Sequence, residues 1–144
     1  MQIQSLGHVV LQVRNQQRAE EFYNGVLGLS ICARNEDPRM TFFTLGNHHD
    51  FAIAEVGEDA ETPPNSSVGL AHVAFKIGES LDELRKAKAD LEAVGVGVRP
   101  IDHEVTQSLY FRDPDGNTIE VYVDVSDAWK KEPQRVAQGA PLEL

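Results

Sequence analysis

One cysteine, Cys32, stands in 144 residues, so no internal disulfide can close. That scarcity suits a reducing cytoplasm. No apolar run approaches the roughly 18 residues that a membrane helix needs, so no membrane span is expected. The N-terminus lacks the basic-then-apolar order of an export signal, and a cytoplasmic location is expected. Positive charge is scarce too: 13 Lys and Arg stand against 23 Asp and Glu, a net charge of −10. That balance repels phosphates, and with no dense basic cluster it excludes a nucleic-acid partner. What is present is 41% hydrophobic and 25% charged residues. At this length that composition describes one soluble domain with a real core, not a disordered chain.

Two stretches resemble each other. Gly7-His8-Val9-Val10-Leu11-Gln12-Val13 and Ala71-His72-Val73-Ala74-Phe75-Lys76-Ile77 each open a strand, and a charged helical segment follows each. From His8 to His72 is 64 positions, close to half the chain, which is too long for a solenoid repeat and suggests a duplicated module. The first half predicts a helix over Gln16–Leu27, with Asn15 as N-cap and Gly28 as stop, then strands Leu29–Arg34, Met40–Leu45 and Phe51–Val56. The second predicts a helix over Ser80–Val94, with Leu81, Leu84, Ala87 and Leu91 on one stripe and Gly95 as terminator. Its strands are expected at Val96–Arg99, Ser108–Arg112 and Thr118–Val123, with a turn at Asp113-Pro114-Asp115-Gly116. The expected organisation is a single domain: module one over residues 1–58, a linker over 59–67, module two over 68–125 and a tail over 126–144. Trp129 is expected to anchor the tail, and Pro133 and Pro141 to keep it from forming a long helix.

Each half reads strand, helix, three strands. The fold class expected is α+β, two βαβββ modules pairing into a curved, partly closed mixed sheet with helices outside. Three residues then draw interest. His8 and His72 hold equivalent places in the repeat, and Glu120 interrupts an otherwise apolar strand, opposite in face to Ile119, Val121 and Val123. Each has an ordinary reading, a satisfied core histidine or a carboxylate in water. Together they make a possible set of two His and one carboxylate, which leaves coordination positions open and suits non-haem Fe(II).

At this point the chain resembles the vicinal oxygen chelate superfamily, which includes glyoxalase I, bleomycin and fosfomycin resistance proteins and extradiol ring-cleaving dioxygenases. The matching features are Gly7-His8-Val9, Glu21-Phe22-Tyr23 followed by Val26-Leu27-Gly28-Leu29, Ala71-His72-Val73-Ala74-Phe75, and Asp113-Pro114-Asp115-Gly116-Asn117-Thr118-Ile119-Glu120. They cover about residues 6–124. The resemblance implies paired βαβββ modules and a metal held by His8, His72 and Glu120.

The dioxygenase branch fits best. Glyoxalase-like members carry a further Glu on the last strand of the first half, and Ala52 falls there, with Glu55 nearby but out of position. His49 resembles the dioxygenase His on the O2 side of the metal, although strict alternation places it opposite Ala52 unless the strand starts irregularly. Tyr110 resembles the active-site Tyr that hydrogen-bonds a substrate oxygen, and His103 a second His ahead of that strand. The resemblance thus implies an extradiol dioxygenase using Fe(II), with Mn(II) or another divalent metal possible. Its substrates would be a small aromatic diol and O2, and its assembly a homodimer. Few cations stand near the motifs, which disfavours strongly anionic substrates. The alternatives are a glyoxalase-like metal-dependent lyase or isomerase, and a non-catalytic binding protein of the bleomycin-resistance type.

Overall fold

The computed structural model describes residues 1–64 and 66–144; Asn65, inside the expected linker, lies outside the described residues. The chain divides into two compact units, Met1–Ser67 and Val68–Leu144. Both follow the expected α+β plan, and each builds its own mixed sheet. No helix among the described residues is long and apolar enough to cross a membrane.

In the first unit, β1 (Val9–Val13) leads to α1 (Gln16–Glu20), and three strands follow: β2 (Ser30–Glu36), β3 (Arg39–Thr44) and β4 (Phe51–Glu55). The sheet order is β1-β4-β3-β2, with β1 parallel to β4 and the other pairs antiparallel. The helical crossover is what a parallel pair requires. Asn15 caps α1 as expected, its side chain accepting from the Arg18 amide at 2.9 Å. The rest of the expected helix is wider than an α-helix. Glu21–Val26 forms a π-turn, and the Leu27 amide reaches back five residues to the Phe22 carbonyl at 2.9 Å. The wider turn accompanies the burial of two consecutive aromatics, Phe22 and Tyr23. Tyr23 lies 4.8 Å from Phe51 and 6.1 Å from Phe43, centroid to centroid, at the middle of this core.

A polar bracket ties α1 to the far strands. Arg34 on β2 grips the Glu20 carboxylate with two bonds of 2.8 and 2.9 Å, and Thr41 on β3 also donates to it. The Arg34 bonds hold the Glu20 carboxyl below its ordinary 4.5, with Thr41 adding to them and burial opposing. A depressed folded pKa gives stability that is present above about pH 4.5 and is lost as pH falls through the folded value. Glu20→Gln is expected to cost about 1 kcal/mol at neutral pH and to flatten the acid limb of the stability curve. Urea midpoints across pH measure this; identical acid limbs in both proteins would count against it.

In the second unit, β5 (Val73–Gly78) leads to α2 (Leu81–Ala93), then β6 (Arg99–Asp102), β7 (Thr106–Arg112) and β8 (Thr118–Asp124). A two-residue β9 (Ala140–Pro141) comes from the tail, and the order is β5-β8-β7-β6-β9. Ser80 and Glu83 form a capping box at the start of α2. Leu84 and Leu91 on the expected stripe are buried, and α2 packs on β5, β7 and β8. Leu109, Phe111, Ile119, Val121 and Val123 complete this core.

Two expectations need correction. The strand expected at Val96–Arg99 begins only at Arg99. The Val96 amide is spent on the helix end, donating to the Leu91 carbonyl at 3.0 Å, while Gly95 at φ +81° donates to Glu92 at 3.0 Å. That closing motif delays the strand. Trp129 does not anchor the tail: it is 46% exposed, in a 3-10 turn over Ala128–Lys130, beside the Lys130 ammonium. Backbone pairing of β9 with β6 holds the tail instead.

Candidate metal centre and its surroundings

His8 and His72 occupy the same place in the two units, each one residue before the first strand. Glu120 sits mid-strand on β8 and is only 6% exposed. A carboxylate buried this far is costly unless partnered. His72 Nε2 lies 3.1 Å from one of its oxygens, and the buried Ser108 hydroxyl donates to the other at 2.6 Å. Ser108 was absent from the expected site. Its signal was plain alternation: it stands two residues before Tyr110, on the same face of β7.

Tyr110 is the register partner of Glu120, and its ring meets that of His72 edge-on at 5.5 Å. Burial, then hydrogen bonding to Glu120 and the Glu120 charge, push the phenol well above its ordinary 10, with Arg99 opposing. Tyr110 therefore stays a protonated donor throughout the physiological range. His103 stands behind it, Nε2 at 3.0 Å from the Tyr110 hydroxyl and Nδ1 at 2.6 Å from the Gln138 carbonyl. Both ring nitrogens of His103 are thus engaged inside the protein. The expectation of few cations near the motifs also changes, because Arg99, paired with Tyr110 across β6 and β7, lies 5.3 Å from that ring's centroid.

The first unit gathers the other histidines. The His49 ring stacks 4.2 Å from that of His8 and meets Phe42 edge-on at 5.3 Å. His49 precedes β4 rather than belonging to it, so strand alternation does not fix its direction. Burial, then the neighbouring His8 and His48, lower its pKa below the ordinary 6.5, with Asp50 opposing. A neutral imidazole is favoured there.

Comparing registers relates the two halves. Across the second sheet runs the row Ala74, Glu120, Tyr110, Arg99. The matching row in the first is Val10, Ala52, Phe42, Ala33. Ala52 therefore holds the place that Glu120 holds in the other half, and it offers no donor atom. Glu55 does not substitute for it, since its oxygens accept from the Gln16 amide at 2.7 Å and from Arg39 at 3.3 Å.

The donor chemistry of the second unit fits a divalent first-row metal: an imidazole against a buried carboxylate whose second oxygen a hydroxyl already holds. His72 and Glu120 meet as a pair, and His8 stands with His49. Among the described residues, no three His, Cys, Asp or Glu side chains gather closely enough to hold an ion.

Residues 5–121 match the family described as "Glyoxalase/Bleomycin resistance protein/Dioxygenase superfamily". The chain belongs to this superfamily. Among curated members, biphenyl-2,3-diol 1,2-dioxygenase 3 of Rhodococcus globerulus is 37% identical over 124 residues, covering 83% of this chain. The match spans 63% of that relative's length, so the relative is substantially longer. Glutathione transferase FosA of Serratia marcescens is 30% identical over 123 residues, covering 84% of this chain and 82% of that one. In fold, the chain is similar to a glyoxylase/bleomycin resistance protein/dioxygenase domain from Frankia sp. EAN1pec, with a TM-score of 0.72 at 21% identity, covering 85% of this chain and 99% of that one. The superfamily thus joins dioxygenases and transferases on one architecture, and the side chains must separate them.

Proposed function

We propose that this chain is a metal-dependent extradiol dioxygenase that opens a catechol-type aromatic diol with O2. The observation that carries the reading is the Glu120 carboxylate, held between His72 and Ser108 with Tyr110 beside it in register. In this reading His72, Glu120 and His8 hold the metal, Fe(II) by preference, with Mn(II) or another divalent ion as alternatives. Such an ion would lower the pKa of a chelated catechol hydroxyl and hold the diol and O2 as neighbours. The bringing together of His8 with the other two donors, within one chain or between two copies in a homodimer, is part of the proposal.

The protein's own groups have distinct tasks. Tyr110, kept protonated by burial and by Glu120, rests its one proton against His103 while the site is empty and turns it to a substrate oxygen when the diol is bound, orienting the ring. His49, kept neutral by burial and by its histidine neighbours, receives a proton at a ring nitrogen and returns it later. His103 supports Tyr110 from behind. A lyase or isomerase with a fourth protein donor is disfavoured, because Ala52 stands at that place and Glu55 is committed elsewhere. The FosA-like relative keeps a transferase reading as the competitor.

The test is O2 uptake by protein prepared without air and loaded with Fe(II), given 2,3-dihydroxybiphenyl and catechol in parallel. Uptake with a yellow product is expected, and His72→Ala should reduce it by at least about a thousandfold, the scale of losing a group that acts only with its partners. Iron bound at one per chain with no uptake on either diol would overturn ring cleavage of these substrates. Absence of bound metal would sink the enzyme reading altogether.

A further inference from the structure

The tail beyond β8 has no part in the function proposed above, yet it reaches the site. Gln138 lies just before β9, and its carbonyl oxygen is 2.6 Å from His103 Nδ1. A carbonyl can only accept, so the proton of this bond sits on Nδ1. In a neutral imidazole Nε2 is then a bare acceptor, and the hydroxyl 3.0 Å away, that of Tyr110, is its donor. We propose that the C-terminal segment is a working part of the site: the Gln138 carbonyl fixes the His103 tautomer and so aims the Tyr110 proton at His103.

Both ends of this bond are clamped. On the tail side, β9 pairs with β6, and the Leu142 amide donates to the Pro100 carbonyl at 3.4 Å. The Gln138 amide donates to Arg135 at 3.3 Å, and Arg135 reaches Glu104, next to His103, at 3.5 Å. On the other side, the His103 amide donates to Thr106 at 2.9 Å and its carbonyl accepts from Val105 at 2.7 Å. Glu104 between them sits at φ +65°, a left-handed conformation that a non-glycine residue holds only when its surroundings impose it.

The tautomer matters because Tyr110 has one proton and two acceptors within reach, His103 and Glu120. Aimed at His103, the phenol leaves Glu120 to Ser108 and His72 alone. That benefit to a metal-binding carboxylate rests on the proposed function. The tautomer does not, so failure of the dioxygenase reading leaves the following test intact. Gln138 is here a positioning residue, acting through its backbone.

Long-range proton–nitrogen spectra of histidine-labelled, metal-free full chain read the tautomer directly. They are recorded at about pH 8, more than a unit above the ordinary imidazole pKa. His103 is expected to show Nδ1–H and an unprotonated Nε2. In full-length Tyr110→Phe the same signature should persist, because Gln138 sets it. In a chain ending at Ala137 it should disappear. An Nε2–H signature in the wild type, a switch of tautomer in Tyr110→Phe, or an unchanged Nδ1–H signal in the shortened chain would each overturn the proposal. If the shortened chain does not fold, the wild type and Tyr110→Phe decide it.

Discussion

If Glu120 holds the metal as proposed, Glu120→Gln is expected to abolish metal binding and ring cleavage while leaving the fold standing. Glutamine keeps the size of the side chain and its hydrogen-bonding reach toward Ser108 and His72 but removes the negative charge. A partner standing behind a metal ligand is worth about 10–100-fold in affinity, so loss of a charged ligand itself should exceed about 100-fold. Stability without metal should move by no more than about 1 kcal/mol, since a buried carboxylate that has lost its charge no longer needs a cation to offset its burial. Titration of metal into the apo-protein measures the first effect and urea unfolding the second. A Glu120→Gln chain that still takes up one ion at wild-type affinity would remove Glu120 from the ligand set.

Leu84→Ala is expected to have the largest effect on folding, roughly 3 kcal/mol within the 2–5 kcal/mol range for leucine truncation in cores. Leu84 is fully buried, and α2 holds only one other buried side chain, Leu91, against β5, β7 and β8. Domain stabilities of about 5–15 kcal/mol make such a loss a large share of the total. Leu81→Ala, on the same stripe but half-buried, provides the internal comparison and should cost about 1 kcal/mol. Urea midpoints at constant slope measure both; equal losses at the two positions would show that α2 is not anchored where its burial places it.

Features that depend on neighbours in the chain were legible in the sequence. The repeat, the Asn15 cap, the leucine stripe of α2 and the carboxylate of Glu120 within an apolar strand are all patterns of the chain itself, whereas Ser80, expected inside the second helix, is its cap. What escaped depends on partners far away in sequence. The late start of β6 follows from where the Val96 amide goes, and the width of the helical turn at Glu21–Val26 goes with packing two adjacent aromatics. Arg99 comes beside Tyr110 through strand register, and Gln138 reaches His103 across 35 residues, neither of which periodicity can encode. Trp129 misled for the opposite reason: size and apolarity favour burial only where a surface is there to receive the ring.

The matched rows of the two sheets carry a lesson about inheritance. A repeated unit begins with every function in duplicate, and here the copies have parted company. One retains a carboxylate, a phenol and a guanidinium at successive register positions, whereas its twin has alanine, phenylalanine and alanine. At these three register positions the twin offers no donor atom, and its reactive side chains are instead His8 and His49, just ahead of β1 and β4. Ala52, Phe42 and Ala33 are the places where descendants can reshape this sheet face without replacing the histidines beside it.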